Sequence, residues 1–243
     1  LTREDFKVFD DGKERPVTSF QSTEAPLELV LALDVSGSMN ASLGDVKDAA
    51  RAFLKALRPQ DRVTLVAFND AMFTLARGVA GTEALPPLEK LAAWGGTSLY
   101  DVVVRSMQLL SKKPGKHAVV IFSDGDDNAS QSNLQQVRRL TGDSDAMLMA
   151  VALGRGPEVD NLKETLESLA EASGGRVLFA KRSDELVESF GKVVEDLINQ
   201  YTLGFEPQRD GRDHQIRVEV PGRGVRVRAR RVYVAPAAPP VGN

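Results

Sequence analysis

Pro26-Leu27-Glu28-Leu29-Val30-Leu31-Ala32-Leu33-Asp34-Val35-Ser36-Gly37-Ser38 is the stretch from which the rest of the chain can be read. Apolar residues run almost unbroken from Leu27 to Leu33, as in a strand covered on both faces, and the run stops at a carboxylate. Outward from it the texture alternates. Val46, Ala49, Ala50, Phe53, Leu54 and Leu57 keep helical spacing, and Pro59 ends that helix. A strand over 62–68 with a hairpin partner near 72–75 follows, then a helix over 99–110 that stops before Pro114 and Gly115. A second buried strand over 117–122 halts next to Asp124. Beyond it the pattern predicts a helix at 134–140, a strand at 147–153, a helix at 162–172, a strand at 176–179 and a helix at 184–199. Strands interleaved with amphipathic helices predict an α/β fold with a doubly wound, mostly parallel sheet.

The two ends of the chain differ from this middle. Residues 1–20 alternate apolar and polar around Asp10-Asp11-Gly12, which reads as two short strands and a turn. After Gln200, segments 201–205, 215–220 and 225–230 alternate likewise, with Pro221-Gly222-Arg223-Gly224 as a turn. An isolated hairpin is marginal in water, so Phe6, Val8, Val17, Phe20, Ile216, Val218, Val225 and Val227 are expected to cover one another. The expected organisation is therefore residues 1–25 and 201–235 as two parts of one small β appendage, 26–200 as the α/β domain, and 236–243 as an Ala/Pro linker or tail.

Composition narrows the chemistry. The 243 residues are 42% hydrophobic and 27% charged, an ordinary globular balance. There is no Cys, and the only His are His117 and His214, which excludes disulfides, thiolate zinc sites, cysteine nucleophiles and histidine-rich metal sites. No apolar run approaches the roughly 20 residues needed to span a bilayer. The chain opens at Leu1 without a basic-then-apolar leader, so a processed or trimmed product is expected. Lys and Arg number 31 against 34 Asp and Glu, too even for nucleic-acid binding through a general basic field. Eight Arg do outnumber four acids within 201–235. Arg226, Arg228 and Arg230 alternate there with Val225, Val227 and Ala229 as on the wet face of a strand, and no aromatic residues interleave as stacking platforms.

The chemistry sits at the strand ends. In an open α/β sheet, ligands bind at the carboxyl ends of strands where strand order reverses, and Asp34 is so placed. Asp34, Ser36 and Ser38 can converge on one hard cation from alternate positions of a turn that Gly37 makes tight. Gly95-Gly96-Thr97-Ser98 adds a hydroxyl before the helix at Leu99, and Ser123-Asp124-Gly125 adds a second carboxylate after a strand. Asp34, Ser36, Ser38, Thr97 and Asp124 form an all-oxygen set suited to Mg²⁺ or Mn²⁺ rather than zinc. Plainer roles compete at single positions. Ser36, Ser38 and Thr97 suit helix caps, and Ser98 with Asp101 fits a capping box. Asp124-Gly125-Asp126-Asp127-Asn128 superficially resembles a calcium loop, but Ala129 and Gln135 occupy positions that need Gly and Glu. Asp126 and Asp127 are then expected as solvated charges, with a part in ligand selectivity as the alternative, Trp94 as core packing, with a rim place beside the metal as the alternative, and both His as structural or exposed.

Taken together, these residues resemble the von Willebrand factor type A family, whose metal-ion-dependent adhesion site is Asp-x-Ser-x-Ser with a later Thr and a later Asp. The resemblance covers about residues 26–200. Residues 1–12, Gly96-Thr97-Ser98-Leu99-Tyr100-Asp101 and Gln200-Tyr201-Thr202-Leu203-Gly204-Phe205 are similar to the bacterial subgroup called VWFA-related Acidobacterial domain. The aromatic-rich end of that subgroup is replaced by Arg230-Arg231-Val232-Tyr233. The resemblance implies that both Ser and the Thr bind the cation directly, that at least one carboxylate acts through water, and that a partner's Asp or Glu completes the coordination. It further implies a secreted, periplasmic or cell-surface adhesion or assembly module that is not an enzyme. The expected partner is a protein, with no nucleic acid and no membrane insertion by this chain. Two rivals stand beside it. One is a phosphatase or phosphotransferase of the haloacid dehalogenase type, which needs an acid where Ser36 stands; the other is a structural domain with a purely stabilising metal. A dinucleotide-binding enzyme lacks its Gly-x-Gly-x-x-Gly after the first strand.

Overall fold

The computed structural model describes residues 1–111, 115–154, 157–225 and 227–237. Three short strands open it, β1 (Lys7–Asp10), β2 (Lys13–Arg15) and β3 (Val17–Gln21). The α/β unit follows as β4 (Leu27–Asp34), α1 (Leu43–Ala56), β5 (Arg62–Phe68), β6 (Met72–Val79), α2 (Leu85–Glu89), α3 (Leu99–Leu110), β7 (Lys116–Ser123), α4 (Leu134–Asp143), β8 (Met147–Leu153), α5 (Pro157–Ser173), β9 (Arg176–Ala180) and α6 (Leu186–Ile198). Strands β10 (Thr202–Phe205), β11 (Asp213–Glu219) and β12 (Val232–Val234) close the described chain.

The main sheet has the order β6-β5-β4-β7-β8-β9, all parallel except the edge strand β6. It is the doubly wound α/β sheet that the interleaved pattern predicts. Side chains of β4 alternate between two cores, because successive residues of a strand point to opposite faces. Leu27, Leu29, Leu31 and Leu33 pack with α1, α2 and α6, while Val30 and Ala32 pack with α3, α4 and α5. Both faces are thus covered, which is why β4 and β7 read as unbroken apolar runs. The chain leaves β4 toward β5 on one side and returns to β7 on the other. Strand order therefore reverses between β4 and β7, and their carboxyl ends are where an open α/β sheet of this kind forms its ligand crevice.

Strands from the two ends of the chain pair with each other. β1 lies between β2 and β11 in a four-stranded antiparallel sheet ordered β12-β11-β1-β2, and β3 pairs with β10. Phe6, Phe20 and Tyr201 form an aromatic cluster with ring centroids 5.1–5.9 Å apart. The segment entering β4 is tied to the α/β unit by charge. Arg58 donates to the carbonyls of Thr23 and Ala25, Asp61 accepts from the Leu27 amide, and buried Lys116 donates to the carbonyls of Thr23 and Gln200.

The expected strand over 225–230 is not formed among the described residues, and β12 lies further on instead. Val225 and Val227 consequently stay exposed rather than covering β1 and β3. The physical reason lies with the arginines. Arg228 reaches Asp196 on α6 and Arg230 donates to the carbonyl of Ser144 at the end of α4, so this segment crosses the α/β unit instead of extending the small sheet. Arg230 is half-buried, not on a wet strand face. Arg226, Pro114 and residues 238–243 of the expected tail lie outside the described residues.

His214 of β11 fastens this sheet. Its Nδ1 lies 2.9 Å from Asp10 and 2.8 Å from Asp11, its Nε2 lies 3.1 Å from Asp210, and the Tyr233 hydroxyl donates to Asp10. The hydrogen bond to Asp210, then that to Asp10 and the charges of Asp11 and Asp10, raise the imidazole above its ordinary pKa against the opposing effect of burial. A His raised in this way stabilises the fold fully below its unfolded value of about 6.5 and loses that contribution as pH rises through the raised value. Thermal unfolding should therefore show a midpoint that falls as pH rises above about 6.5. The same scan on His214→Gln should be flatter and lower at the acidic end; an unchanged profile would remove His214 from this role.

Candidate metal centre

All five oxygen-bearing residues singled out in the sequence lie around the β4–β7 crevice. Asp34 ends β4, Ser36 and Ser38 lie in the turn and short 3₁₀ segment after it, Thr97 precedes α3, and Asp124 follows β7. Ser36 Oγ and Ser38 Oγ are 3.1 Å apart, and Ser38 Oγ donates to Asp124 Oδ1 at 2.7 Å. The Thr97 hydroxyl turns toward the residue after Asp124: a Cβ built on Gly125 would lie 3.9 Å from its Oγ1. Asp34, Ser36 and Thr97 are buried, while Ser38 is exposed and Asp124 half-buried. The oxygens therefore climb from the interior to solvent.

Backbone geometry and burial explain this placement. Asp34 Oδ1 accepts from the Ser36 amide at 2.8 Å and Oδ2 from the Ser123 hydroxyl at 2.6 Å, so the carboxylate fixes the turn and joins the ends of β4 and β7. Ser36 begins the 3₁₀ segment without making a side-chain cap, so its hydroxyl is not spent on the helix. The Thr97 loop is clamped from both sides. Its amide donates to Asn128 Oδ1 while its carbonyl accepts from the amides of Asn128 and Ala129, and the Gly37 amide donates to the Gly95 carbonyl. Gly95 adopts φ +78°, and a Cβ on it would lie 2.5 Å from Asp70 Oδ2. The Gly-Gly pair allows that close approach.

Burial pushes the Asp34 carboxyl up to about 6, opposed by its hydrogen bonds from Ser123 and Ser36 and assisted by the nearby Asp124 charge. Asp124 is also raised by burial, against its hydrogen bond from Ser38. Two carboxyls held above their usual range beside two hydroxyls make a pocket that favours added positive charge, from a proton or from a cation.

Several neighbouring expectations are corrected. Ser98 makes no side-chain cap; its hydroxyl donates to the Asn69 carbonyl, and Asp101 instead accepts from the amides of Gln131 and Ser132. Asp127 is no solvated charge. It accepts from the Tyr100 amide in the first turn of α3 and from the Ser130 hydroxyl, the capping work assigned to Ser98. Trp94 is 54% exposed rather than core, since backbone bonds to Val35 and Asn69 hold it in place. His117 is buried and faces Asp145. The supporting roles of Ser123, Asn69 and Asn128 leave no pattern in sequence, because their partners are distant in the chain.

A second group, Asp10, Asp11 and His214, also brings potential ligand atoms within 4.8 Å of one another. Both imidazole nitrogens face carboxylates, and Arg15 pairs with Asp10, so these groups already partner one another. No helix among the described residues is long and apolar enough to cross a membrane.

Comparison with known proteins places this architecture. The family model described as "VWA domain containing CoxE-like protein" matches residues 11–172. A von Willebrand factor type A structure from Catenulispora acidiphila has 15% identity and a TM-score of 0.64, covering 79% of this chain and 50% of that one. Proximal thread matrix protein 1 from the mussel byssus, solved with a zinc-occupied MIDAS motif, has 15% identity and a TM-score of 0.64, covering 77% of this chain and 49% of that one. The vWF domain of the type V pili tip protein Mfa5 from Porphyromonas gingivalis has 10% identity and a TM-score of 0.57, covering 70% of this chain and 94% of that one. The chain thus spans about half the length of the first two, and at these identities the likeness is one of fold. No curated protein matches by sequence. A family match over more than half of the residues, carried by a sheet whose order reverses where that family's motif lies, makes this chain a member of the von Willebrand factor type A family.

Proposed function

We propose that the crevice binds Mg²⁺ or Mn²⁺ and uses it to capture an Asp or Glu of a protein partner. Ser36, Ser38 and Thr97 hold the cation directly, and Asp34 and Asp124 act directly or through water. The observation that carries this reading is the contiguity of Ser36, Ser38 and Asp124, at 3.1 and 2.7 Å. Adjacent ligands of an octahedral ion with bonds of about 2.1 Å lie about 3.0 Å apart, so the spacing of these three oxygens is compatible with a shared cation. Neutral hydroxyls leave most of the cation's charge uncompensated, and an incoming carboxylate supplies the missing negative charge. The zinc in the MIDAS motif of the byssus protein supports a metal at this place without favouring Mg²⁺ or Mn²⁺ over zinc, and the pilus-tip setting of another structural neighbour supports a location outside the cytoplasm. The proposed organisation is a type A domain over 26–200, with 1–25 and 201–235 as its β appendage and 236–243 as a tail.

The phosphatase reading is disfavoured by burial. Asp34 is 0% exposed and both its oxygens accept hydrogen bonds, so it is neither free nor accessible to attack an ester, and Ser36 cannot serve as the general acid. We accordingly read the chain as a binding module and not an enzyme.

Calorimetry should find saturable Mg²⁺ or Mn²⁺ binding that weakens about tenfold or more in Ser38→Ala, with zinc as a third arm. Equal affinity in wild type and variant would end the assignment. A proton and the cation compete for Asp34, so affinity should rise with pH through about 6. In the metal-free protein the raised carboxyl costs stability as pH climbs from its unfolded value of about 3.9, and cation binding relieves that cost. A thermal-shift series with and without Mg²⁺ should show the larger stabilisation at about pH 7.5 than at about pH 5; the reverse order would contradict Asp34's part. No metal-dependent turnover of a phosphate ester should be detectable, and turnover abolished by Asp34→Asn would overturn the binding-module reading.

A further inference from the structure

The small sheet gathers a second set of donor atoms, which shares no residue with the crevice. Asp10 ends β1, Asp11 opens the turn into β2, His214 lies in β11 and Asp210 stands in the loop before it. Asp11 has φ +48° and Gly12 φ +79°, a tight hairpin turn. Asp11 Oδ1 accepts from the Gln215 amide at 2.9 Å, and the Asp11 amide donates to the Gln215 carbonyl at 2.9 Å, so the turn is pinned to β11 with Oδ2 left for the imidazole. Asp10 and His214 are buried, while Asp11 and Asp210 are exposed, which gives an ion a way in from solvent.

Hydrogen bonding leaves this group one positive charge short. Nδ1 of His214 carries at most one proton, yet it faces two carboxylate oxygens, Asp10 Oδ1 at 2.9 Å and Asp11 Oδ2 at 2.8 Å. One hydrogen cannot point at both. Asp10 Oδ1 accepts from the Tyr233 hydroxyl as well, and its Oδ2 from Arg15. Among the side chains in contact, three Asp against Arg15 and an imidazolium leave a formal charge of −1, whereas three Asp against Arg15, a neutral imidazole and a dication leave zero. Nε2 supplies the rest of the argument. It lies 3.1 and 3.2 Å from the two oxygens of Asp210, so the ring proton is held there and the Nδ1 lone pair is directed at the gap between Asp10 and Asp11. A carboxylate behind a ligating imidazole sets its tautomer in this way.

We propose that Asp10, Asp11 and His214 bind Zn²⁺, with Asp210 as the positioning residue that fixes the imidazole. The three ligand atoms lie within 4.8 Å of one another. Ligands of a tetrahedral ion with bonds of about 2.0 Å are about 3.3 Å apart, and Asp11, exposed at a hairpin turn, is free to open its contact by the few tenths required. One imidazole nitrogen with two carboxylate oxygens suits zinc rather than Mg²⁺ or Ca²⁺, and water fills the open position. The ion displaces the Nδ1 proton that otherwise bridges the group. It joins strands 204 positions apart in a chain that has no Cys, and a cross-link closing so long a loop constrains the unfolded chain strongly.

The test uses the whole chain, stripped by chelator and held in excess Mg²⁺, with Ser38→Ala as the background so that the crevice takes little zinc. Calorimetry should find about one Zn²⁺ per chain, and X-ray absorption at the zinc edge should show a single imidazole. Adding Asp11→Asn, whose amide oxygen can keep the bond from Gln215 and with it the hairpin, should weaken zinc binding about tenfold or more. His214→Gln should weaken it about a hundredfold, and Asp210→Asn about tenfold with the coordinated imidazole retained. Zinc should also raise the thermal midpoint of the background chain and leave that of the Asp11→Asn chain unmoved. Zinc affinity unchanged by Asp11→Asn would overturn the assignment. So would absorption showing oxygen ligands only, or a folded background chain that takes up no zinc.

Discussion

A carboxylate buried at the end of the central strand is the constraint around which the upper face of this molecule is organised. Asp34 has no solvent to hydrate it, so its two oxygens must be satisfied by the protein, and they are met by the Ser36 amide and the Ser123 hydroxyl. The first bond curls the chain after β4 so that Ser36 and Ser38 face the crevice. The second joins the ends of β4 and β7 at the point where the sheet changes direction. Even so, the acid stays under-compensated, with its carboxyl lifted to about 6, and that residual cost is what a cation would relieve.

The opposite end of the sheet answers a different problem, that of anchoring two chain segments to one α/β unit. Arg58, Asp61 and Lys116 cluster there and take up the backbone groups of Thr23, Ala25, Leu27 and Gln200. Lys116 is almost wholly buried, and burial, with the charge of Arg58 nearby, lowers its pKa; the carbonyls it donates to belong to both incoming and outgoing segments. Helix α6 packs on α1 and runs almost directly into β10, so its position and that of the small sheets are mechanically joined.

Legibility in the sequence followed the range of the forces involved. β8 and α3 could be read to the residue, because burial on both faces of a sheet and on one face of a helix prints its period along the chain. The five oxygen-bearing residues stand at element boundaries that the pattern marks: Asp34 and Asp124 where apolar strands stop, Ser36 and Ser38 in the turn after the first, and Thr97 just before a helix. What supports them was not legible. Asn128 holding Thr97, Asp127 capping α3 and Ser123 satisfying Asp34 are pairings across 27 to 89 positions, and none leaves a local pattern. Alternation misled at 225–230, where arginines found Asp196 and the Ser144 carbonyl on other elements instead of solvent beside a strand. Trp94, favoured as core packing on its hydrophobicity, stands exposed instead, its backbone held by hydrogen bonds to Val35 and Asn69 and its ring against Phe73.

The order β12-β11-β1-β2 has a bearing on force. β11 runs antiparallel to both β1 and β12, so β1 and β12 point the same way on either side of it. A load entering the chain before Lys7 and leaving after Val234 therefore pulls the two flanking strands in opposite senses along their own axes. The bonds between them are strained together, in shear, and must yield as a group. Had the load entered and left at one end of a single hairpin, they would open one after another. Against a load applied in that way the small sheet resists in shear, with β11 held between the two strands that are pulled.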